Sequence, residues 1–282
     1  MEQFASGWKR SYYGKGDVIV YRLNRDGKTE SGQSPVFAAK VLMLIYGDAF
    51  WPTYTEGDNT GLIATDSIKN FIQREAMNFS GAGLEELCQF LGNKFMGIYP
   101  QVEGLQLSAE EIPYQSVFNN ASFAPAGPDR AFTCLEINRS GLVEAASGLR
   151  GFKLLRLGGS AFRGFVRDEY TTLPEIRNRP LNMWLDMEWS YDQAGKAFTN
   201  GGTTAALRKL VFDVFGSFES GSIQEIIYQM GTRALAEQES ISEIHLEANN
   251  RTWDTIAERG DELGVYTDAR PPYGCLGLRL RR

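Results

Sequence analysis

The amino-acid sequence predicts an α+β fold in which one pattern of elements is used twice. Three observations carry this. The chain reads strand-strand-helix-helix-strand-strand over residues 1–139, and again over residues 140–282. Leu181–Tyr191 alternates with a period of two, the mark of a strand. Met183, Leu185, Met187, Trp189 and Tyr191 fall on one side, and Asn182, Trp184, Asp186, Glu188 and Ser190 on the other. Between the strands, apolar residues recur at helical spacing. Each half is expected to form a four-stranded antiparallel sheet covered by helices on one face. The halves match in pattern and hardly at all in residue identity.

In the first half, Gly16–Asn24 and Ala39–Asp48 are rich in Val, Ile and Tyr and bounded by turn residues, so both are predicted strands. Ser67–Phe79 places Ile68, Phe71, Ile72 and Phe79 at helical spacing. Leu84–Tyr99 sets Leu84, Leu87, Cys88, Leu91 and Phe95 on one helical face, with Gly81 and Gly83 separating the two helices. Strands follow at Val102–Ser108 and Ala131–Ile137, joined by the loop-like stretch Asn119–Pro128. In the second half, Leu154, Leu155 and Leu157 mark a strand ahead of Leu181–Tyr191. A helix over Thr203–Phe218 carries Leu207, Leu210, Val211, Val214 and Phe218. The next opens Ser222-Ile223-Gln224-Glu225, a capping box in which Ser222 accepts from the third backbone N–H. Ile223, Ile226, Ile227 and Met230 form its apolar face, and strands near Ile241–Ala248 and Leu276–Leu280 close the pattern. Trp184 beside Asp186 and Glu188 hints at a wet interior or an interface on the more polar side of its strand.

A chain of 282 residues, 43% hydrophobic, has ample length to bury a core. Its net charge is −6 and it has no Lys/Arg block to neutralise phosphates, which argues against a nucleic-acid partner. The only basic cluster, Arg279, Arg281 and Arg282, is expected to be solvated. Cys88, Cys134 and Cys275 are odd in number and far apart, so they imply small core residues in a reducing compartment rather than a disulfide framework. The longest apolar run, Val41–Tyr46, is far too short to span a bilayer. The N-terminus lacks the apolar core of a signal peptide, and the chain ends Leu280-Arg281-Arg282 without a peroxisomal signal. These readings predict a soluble cytoplasmic protein. A Ser-His-Asp triad would have to be built on His245, the single histidine, and a zinc site would need more Cys and His than the chain can gather. A phosphate-binding loop is absent, and Gly81-Ala82-Gly83 lacks the third glycine and preceding strand of a dinucleotide fingerprint. Most cofactor-dependent classes are therefore disfavoured.

Five motifs, in order along the chain, resemble those of the urate oxidase (uricase) family of bacterial type. They are Tyr13-Gly14-Lys15-Gly16-Asp17-Val18, Ala64-Thr65-Asp66-Ser67-Ile68-Lys69-Asn70, the long segment from Ser160 through Phe162, Gly164, Asp168 and Leu173 to Arg179, Ser222-Ile223-Gln224 through Tyr228, and Pro271-Pro272-Tyr273-Gly274. The resemblance covers nearly the whole chain, and the segment from Phe162 to Arg179 is its most specific part. It implies the tunnelling fold: two tandem ββααββ units per chain, with the sheets of several subunits joined into barrels. It further implies a homotetramer with sites between subunits. The implied reaction is cofactor-free oxidation of urate by O₂, giving 5-hydroxyisourate and hydrogen peroxide without metal or flavin.

The resemblance also assigns roles. Lys15 and Thr65 would reach the purine held by a neighbouring subunit and handle protons there, with Asp66 adding backbone contacts. Taken alone, Lys15 reads as a solvated surface lysine, and Thr65 and Asp66 as N-capping residues at a strand-to-helix junction. Phe162 would stack on the flat purine, Arg179 would fork onto one edge of the urate anion, and Gln224 would offer a donor and an acceptor to the opposite edge. Leu173, Ile223 and Leu276 fit apolar or backbone-contact positions, and each is equally a core candidate. The family's oxygen- or water-holding asparagine falls at Asn249, with Asn250 as a one-residue slip.

Two departures stand out. Many family members have histidine where this chain has Arg251. Arginine cannot accept a proton, so Arg251 would serve catalysis through its charge, acting on Lys15, unless it simply points to solvent. The second is Arg156-Leu157-Gly158, where the family usually shows a lysine and small hydroxyl residues; it lies outside the contact set. Two other readings stay open: a different tunnelling-fold enzyme acting on a pterin or purine, and a purine-binding homologue without turnover.

Overall fold

The computed structural model describes residues 11–25, 34–191, 202–260 and 263–282. The chain divides into two compact units, one consisting mainly of Met1–Ser147 and the other of Gly148–Asp192 with Thr203–Arg282. Each is taken in turn.

The first unit begins with β1 (Tyr13–Leu23) and β2 (Val36–Tyr46), followed by a short helix α1 (Trp51–Thr55) and then α2 (Thr65–Glu75) and α3 (Leu84–Ile98). β3 (Gly104–Glu111), a small hairpin of β4 (Tyr114–Phe118) and β5 (Ser122–Pro125), β6 (Arg130–Asn138) and the start of β7 (Gly141–Phe162) complete it. The strands lie in the order β1-β2-β3-β6-β7. The first three neighbouring pairs are antiparallel. α2 packs on β1, and α3 on β3 and β6. Between helices and sheet lie Ile68, Ile72, Leu87, Leu91 and Phe95 against Val41, Met43, Ile45, Leu107, Leu135 and Ile137, all at most 1% exposed. Each such side chain contributes about 1.5–3 kcal/mol by leaving water, which is why helical periodicity locates these elements so well.

The second unit continues β7 into β8 (Ile176–Tyr191), then α4 (Gly202–Ser217), α5 (Ile223–Glu237), β9 (Ile241–Asn250), a hairpin of β10 (Thr255–Arg259) and β11 (Leu263–Tyr266), and β12 (Gly274–Arg281). Its strands lie in the order β7-β8-β9-β12, and α5 packs on β9 and β12. The alternation along β8 is as predicted: Met183, Leu185, Met187, Trp189 and Tyr191 are buried, while Trp184, Asp186 and Glu188 occupy the more open side.

The two units share one detail beyond element order. Gly92 is the ninth residue of the fifteen-residue α3, and Gly231 is the ninth of the fifteen-residue α5. A Cβ at Gly92 would lie 2.5 Å from Ile137 Cδ1, and one at Gly231 would lie 2.9 Å from Leu280 Cδ1. In both units, then, the helix approaches its sheet at a residue without a side chain.

Several expectations need correction. The stretch 119–128 is not simply a loop: β4 and β5 form a hairpin there, turning through Asn119 and Asn120 at φ 44° and 53°. Paired left-handed asparagines suit a tight hairpin turn. The second unit inserts β10 and β11 at the corresponding place, between its third and fourth strands. Phe79 lies beyond the end of α2, in extended backbone after a 3₁₀ turn. Among the cysteines, Cys88 is buried as expected, but Cys275 is exposed, and half-buried Cys134 meets Ser108 Oγ at 3.0 Å. No helix among the described residues is long and apolar enough to cross a membrane.

Candidate active site

In the first unit, the motif around Lys15 is held by backbone constraints. A Cβ on Gly14 would sit 1.9 Å from the Met43 carbonyl oxygen, so only glycine lets β1 approach β2 there. The register of β1 on β2 shifts between Lys15 and Val18, and Asp17 adopts φ 52°. This is a bulge, a device that re-aims the side chains beside it. Tyr13 anchors the start of the strand: its hydroxyl accepts from the Ile63 N–H at 2.9 Å, and its ring meets Phe50 edge-on. Lys15 is half-buried.

Thr65 and Asp66 open α2 and are exposed. Neither caps it. The N-cap is Ala64, which makes no side-chain cap bond, and the residues before it follow α1 rather than a strand. Asp66 instead accepts from Lys69 Nζ at 2.5 Å and Asn70 Nδ2 at 2.8 Å. The Lys69 contact holds the Asp66 carboxyl below its ordinary range, Asn70 adds to this, and the charge of Lys15 lowers it further. Lys15 and the start of α2 therefore share one electrostatic environment.

In the second unit, one short piece of parallel pairing organises the site. Ser160, at the end of β7, bridges Ser220 in the α4–α5 link, with Ala161 N–H donating to Ser220 O at 2.8 Å and Ser220 N–H to Gly159 O at 2.9 Å. Phe162 lies two residues past the bridge on one strand of the pairing, and Gln224 four residues past it on the other. Asn178 joins the start of β8 to the same place, its Oδ1 accepting from Gly159 N–H at 2.7 Å. The next residue is Arg179, whose Cζ lies 5.9 Å from the Phe162 ring centroid. Arg179 is half-buried, and its Nε is buried without a partner. Burial pushes its guanidinium below the usual arginine range. Phe165 stacks on Phe162 at 4.9 Å and 13°.

α5 starts as the sequence implies. Ser222 caps it, accepting from Glu225 N–H at 3.1 Å. The return half of the box reaches one residue further, since Glu225 Oε2 accepts from Gly221 N–H at 2.7 Å. Ile223 is buried beneath the helix, while Gln224 is exposed. Leu173 is 42% exposed on the β7–β8 connection, where its carbonyl accepts from Arg167 at 3.3 Å.

Asn249, Arg251 and Leu276 gather further along the sheet. Asn249 is opposite Trp184 on β8 and Cys275 on β12, and Leu276 is opposite Ala248. Arg251 N–H donates to Asn182 O at 3.0 Å, three residues or about 10 Å along β8 from Arg179. Asn250 pairs with Met183, on the buried side, so Asn249 shares the open side with Trp184. Arg251 does not point freely to solvent. Its guanidinium lies between two rings, Cζ 4.0 Å from the Trp184 centroid and 3.8 Å from Tyr273, and Nη2 donates to Asn249 Oδ1 at 3.3 Å. Among the described residues, no three His, Cys, Asp or Glu side chains group as a metal site would need.

A flat aromatic ring beside an incompletely bonded guanidinium has the chemistry to meet a planar anion. The pattern of the uricase family matches residues 145–276. A uricase of Haloferax volcanii is 32% identical over 93% of this chain and 95% of its own length. This chain belongs to the uricase family.

Another member, a bifunctional uric acid degradation protein of Bacillus subtilis, is 34% identical over 93% of this chain. The chain spans 59% of the length of that protein. The crystal structure of urate oxidase from Bacillus sp. TB-90 superposes with a TM-score of 0.83 at 34% identity, covering 96% of this chain and all of that one. The repeated ββααββ order is that of the tunnelling fold.

Two features of this uricase-family site lay beyond the reach of the sequence. Trp184 and Tyr273 hold Arg251, and the only signal for Trp184 was an aromatic residue among acids on the open side of β8. Arg156 acts on the scaffold. It donates to the carbonyls of Phe215 at 2.9 Å, Phe218 at 2.8 Å and Gly159 at 2.8 Å, and to Ser220 Oγ at 2.5 Å. It thereby ties the end of α4 to the Ser160–Ser220 bridge.

Proposed function

We propose that this chain is a cofactor-independent urate oxidase, consuming urate, O₂ and water and releasing 5-hydroxyisourate and hydrogen peroxide. The observation that carries this is Arg179: a half-buried guanidinium beside the Phe162 ring, with its Nε buried and unpartnered. A buried donor left unused is costly, a ligand can complete it, and a planar guanidinium matches two adjacent acceptors of a flat anion. Urate, anionic near neutral pH, has that shape and charge.

Phe162 then stacks on the purine with the face that Phe165 leaves open, Arg179 forks onto one edge, and Gln224 serves the opposite edge with one donor and one acceptor. Leu173 and Leu276 line the ligand, Ile223 meets it through its backbone, and Asn249 faces the oxygen or water above it. Lys15, Thr65 and Asp66 come from a neighbouring subunit of a tetramer in which the sheets join into barrels. Lys15 and Thr65 handle the proton that urate gives up. Arg251 contributes a charge in place of a base. The protein supplies orientation and proton handling, while the electron-rich urate anion reduces oxygen. We place the enzyme in the cytoplasm.

The test is a urate assay on the purified chain, following loss of urate absorbance and release of peroxide in equal amounts. Binding of urate without peroxide would reduce the protein to a purine-binding homologue. Inertness toward urate together with turnover of another purine or a pterin would reassign the substrate.

A further inference from the structure

We propose that Arg251 is a positioning residue that fixes which end of the Asn249 amide is offered at the site; this rests on the reading above, in which Asn249 takes part in the reaction. The guanidinium is held between Trp184 and Tyr273, with Cζ 4.0 and 3.8 Å from the two centroids. Close contact with both rings restricts its swing and so limits the directions of its N–H groups. From this position Nη2 donates to Asn249 Oδ1 at 3.3 Å.

A guanidinium has five donors and no acceptor, so the atom of Asn249 that it meets has to be the carbonyl oxygen. The amide NH₂ is therefore turned away from Arg251. Among the described residues no acceptor meets it. The ladder neighbours of Asn249 on its own side of the sheet are Trp184 and Cys275. An indole only donates and a thiol accepts weakly, so neither competes for the amide hydrogens. Half-buried Asn249 thus has one end engaged and the other free, and it presents two N–H donors to a small acceptor such as an oxygen species or a water beside the purine. Without Arg251, the amide could present either end, and half of its orientations would place an acceptor where a donor is required.

The experiment compares kcat and KM for urate, with thermal midpoints, across variants of the full chain. Arg251→Met fills the space between the rings without a donor, and Arg251→Lys restores a head that only donates. Arg251→Met is expected to lower kcat about tenfold, the size of one lost oriented hydrogen bond, with KM within about threefold. Arg251→Lys should recover most of that loss. The double variant Arg251→Met/Asn249→Ala should fall within about threefold of Asn249→Ala alone, because both changes remove the same oriented donor. Asn249→Asp keeps an oxygen for Arg251 and deletes the NH₂, so it should lose turnover as Asn249→Ala does while keeping its thermal midpoint. Full turnover in Arg251→Met, multiplied losses in the double variant, or retained turnover in Asn249→Asp would each overturn the proposal while leaving urate oxidation by the parent enzyme intact. A parent enzyme that does not oxidise urate overturns the functional reading itself, and this inference with it.

Discussion

Ser160 and Ser220 pair backbone to backbone in parallel, with Phe162 two residues beyond the bridge on one segment and Gln224, in the first turn of α5, four residues beyond it on the other. The bridge is short, and Arg156 reinforces it by donating to Ser220 Oγ, Gly159 O, Phe215 O in the last turn of α4 and Phe218 O just past it. Arg156→Ala should therefore cost about 2 kcal/mol of stability, as a half-buried side chain with several bonds to carbonyls is lost. It should also raise KM for urate, because the ring and the helix N-terminus are no longer held together. Urea unfolding and steady-state kinetics check the two effects. A stability loss with unchanged KM would mean that the bridge positions nothing.

Gly14 and Gly97 make opposite predictions from the same substitution. An alanine Cβ at Gly14 would meet the Met43 backbone oxygen at 1.9 Å, and a backbone atom cannot give way. Gly14→Ala is expected to destabilise by about 3 kcal/mol or more and to displace Lys15, its neighbour on β1. Gly97, near the end of α3, has nothing within 4 Å of a built Cβ. Gly97→Ala should stabilise by up to about 1 kcal/mol through helix propensity. Chemical denaturation of both variants compares them directly.

These glycines show where the sequence was legible and where it was not. Periodicity revealed the helices and strands because each buries one face, as Leu87, Cys88, Leu91 and Phe95 do in α3. It was silent on α1 and on the hairpins β4–β5 and β10–β11, which are short and largely exposed and so leave no apolar stripe. The capping role of Ser222 was readable because it depends on local geometry alone. Ala64 at the start of α2 defeated the same reasoning, since no side chain caps that helix. The clamp on Arg251 joins residues from β8 and from the segment before β12, and no local pattern reports such a contact.

Tyr46 should make the fold sensitive to alkali. Its hydroxyl donates to Glu136 Oε1 at 2.8 Å, and Glu136 is only 5% exposed. Burial, and then the Glu136 contact, push the Tyr46 phenol well above the usual tyrosine range. Above about pH 10 the unfolded chain releases this proton while the folded chain keeps it. Stability linked to Tyr46 is therefore complete below that pH and is lost progressively as the pH rises toward the folded-state value. Tyr46→Phe should flatten this alkaline decline. Urea midpoints at pH 8 and pH 11 test it: an equal drop in parent and variant would exclude Tyr46 as the cause.

Arg179 should separate stability from function. Its half-buried guanidinium has an unpartnered Nε, so the fold bears a desolvation cost that a ligand can offset. Arg179→Met should leave the thermal midpoint unchanged or higher, yet raise KM for urate about tenfold or more through the lost forked contact. Arg179→Lys should recover little, because an ammonium cannot span two acceptors. A lower midpoint with unaltered KM would make Arg179 a structural residue.

The final prediction concerns how Lys15 meets the purine. Lys15 and Thr65 belong to the first unit, while Phe162, Arg179 and Gln224 belong to the second. If each pocket takes its lysine from a neighbouring subunit, two different defects can complement one another. Lys15→Ala subunits retain a sound purine cradle, and Arg179→Ala subunits retain a sound lysine. Assayed at urate well below the raised KM of the Arg179 variant, neither homo-oligomer should turn over urate appreciably. Co-expressed with distinct affinity tags and purified through both, the mixed oligomer will contain some pockets with an intact cradle from one subunit and an intact lysine from the other. Activity should reappear in that fraction and scale with the share of mixed interfaces, while each variant taken alone stays inactive. Mixed oligomers of verified composition that remain inactive would show that Lys15 serves its own chain, and the shared-site account would have to be withdrawn.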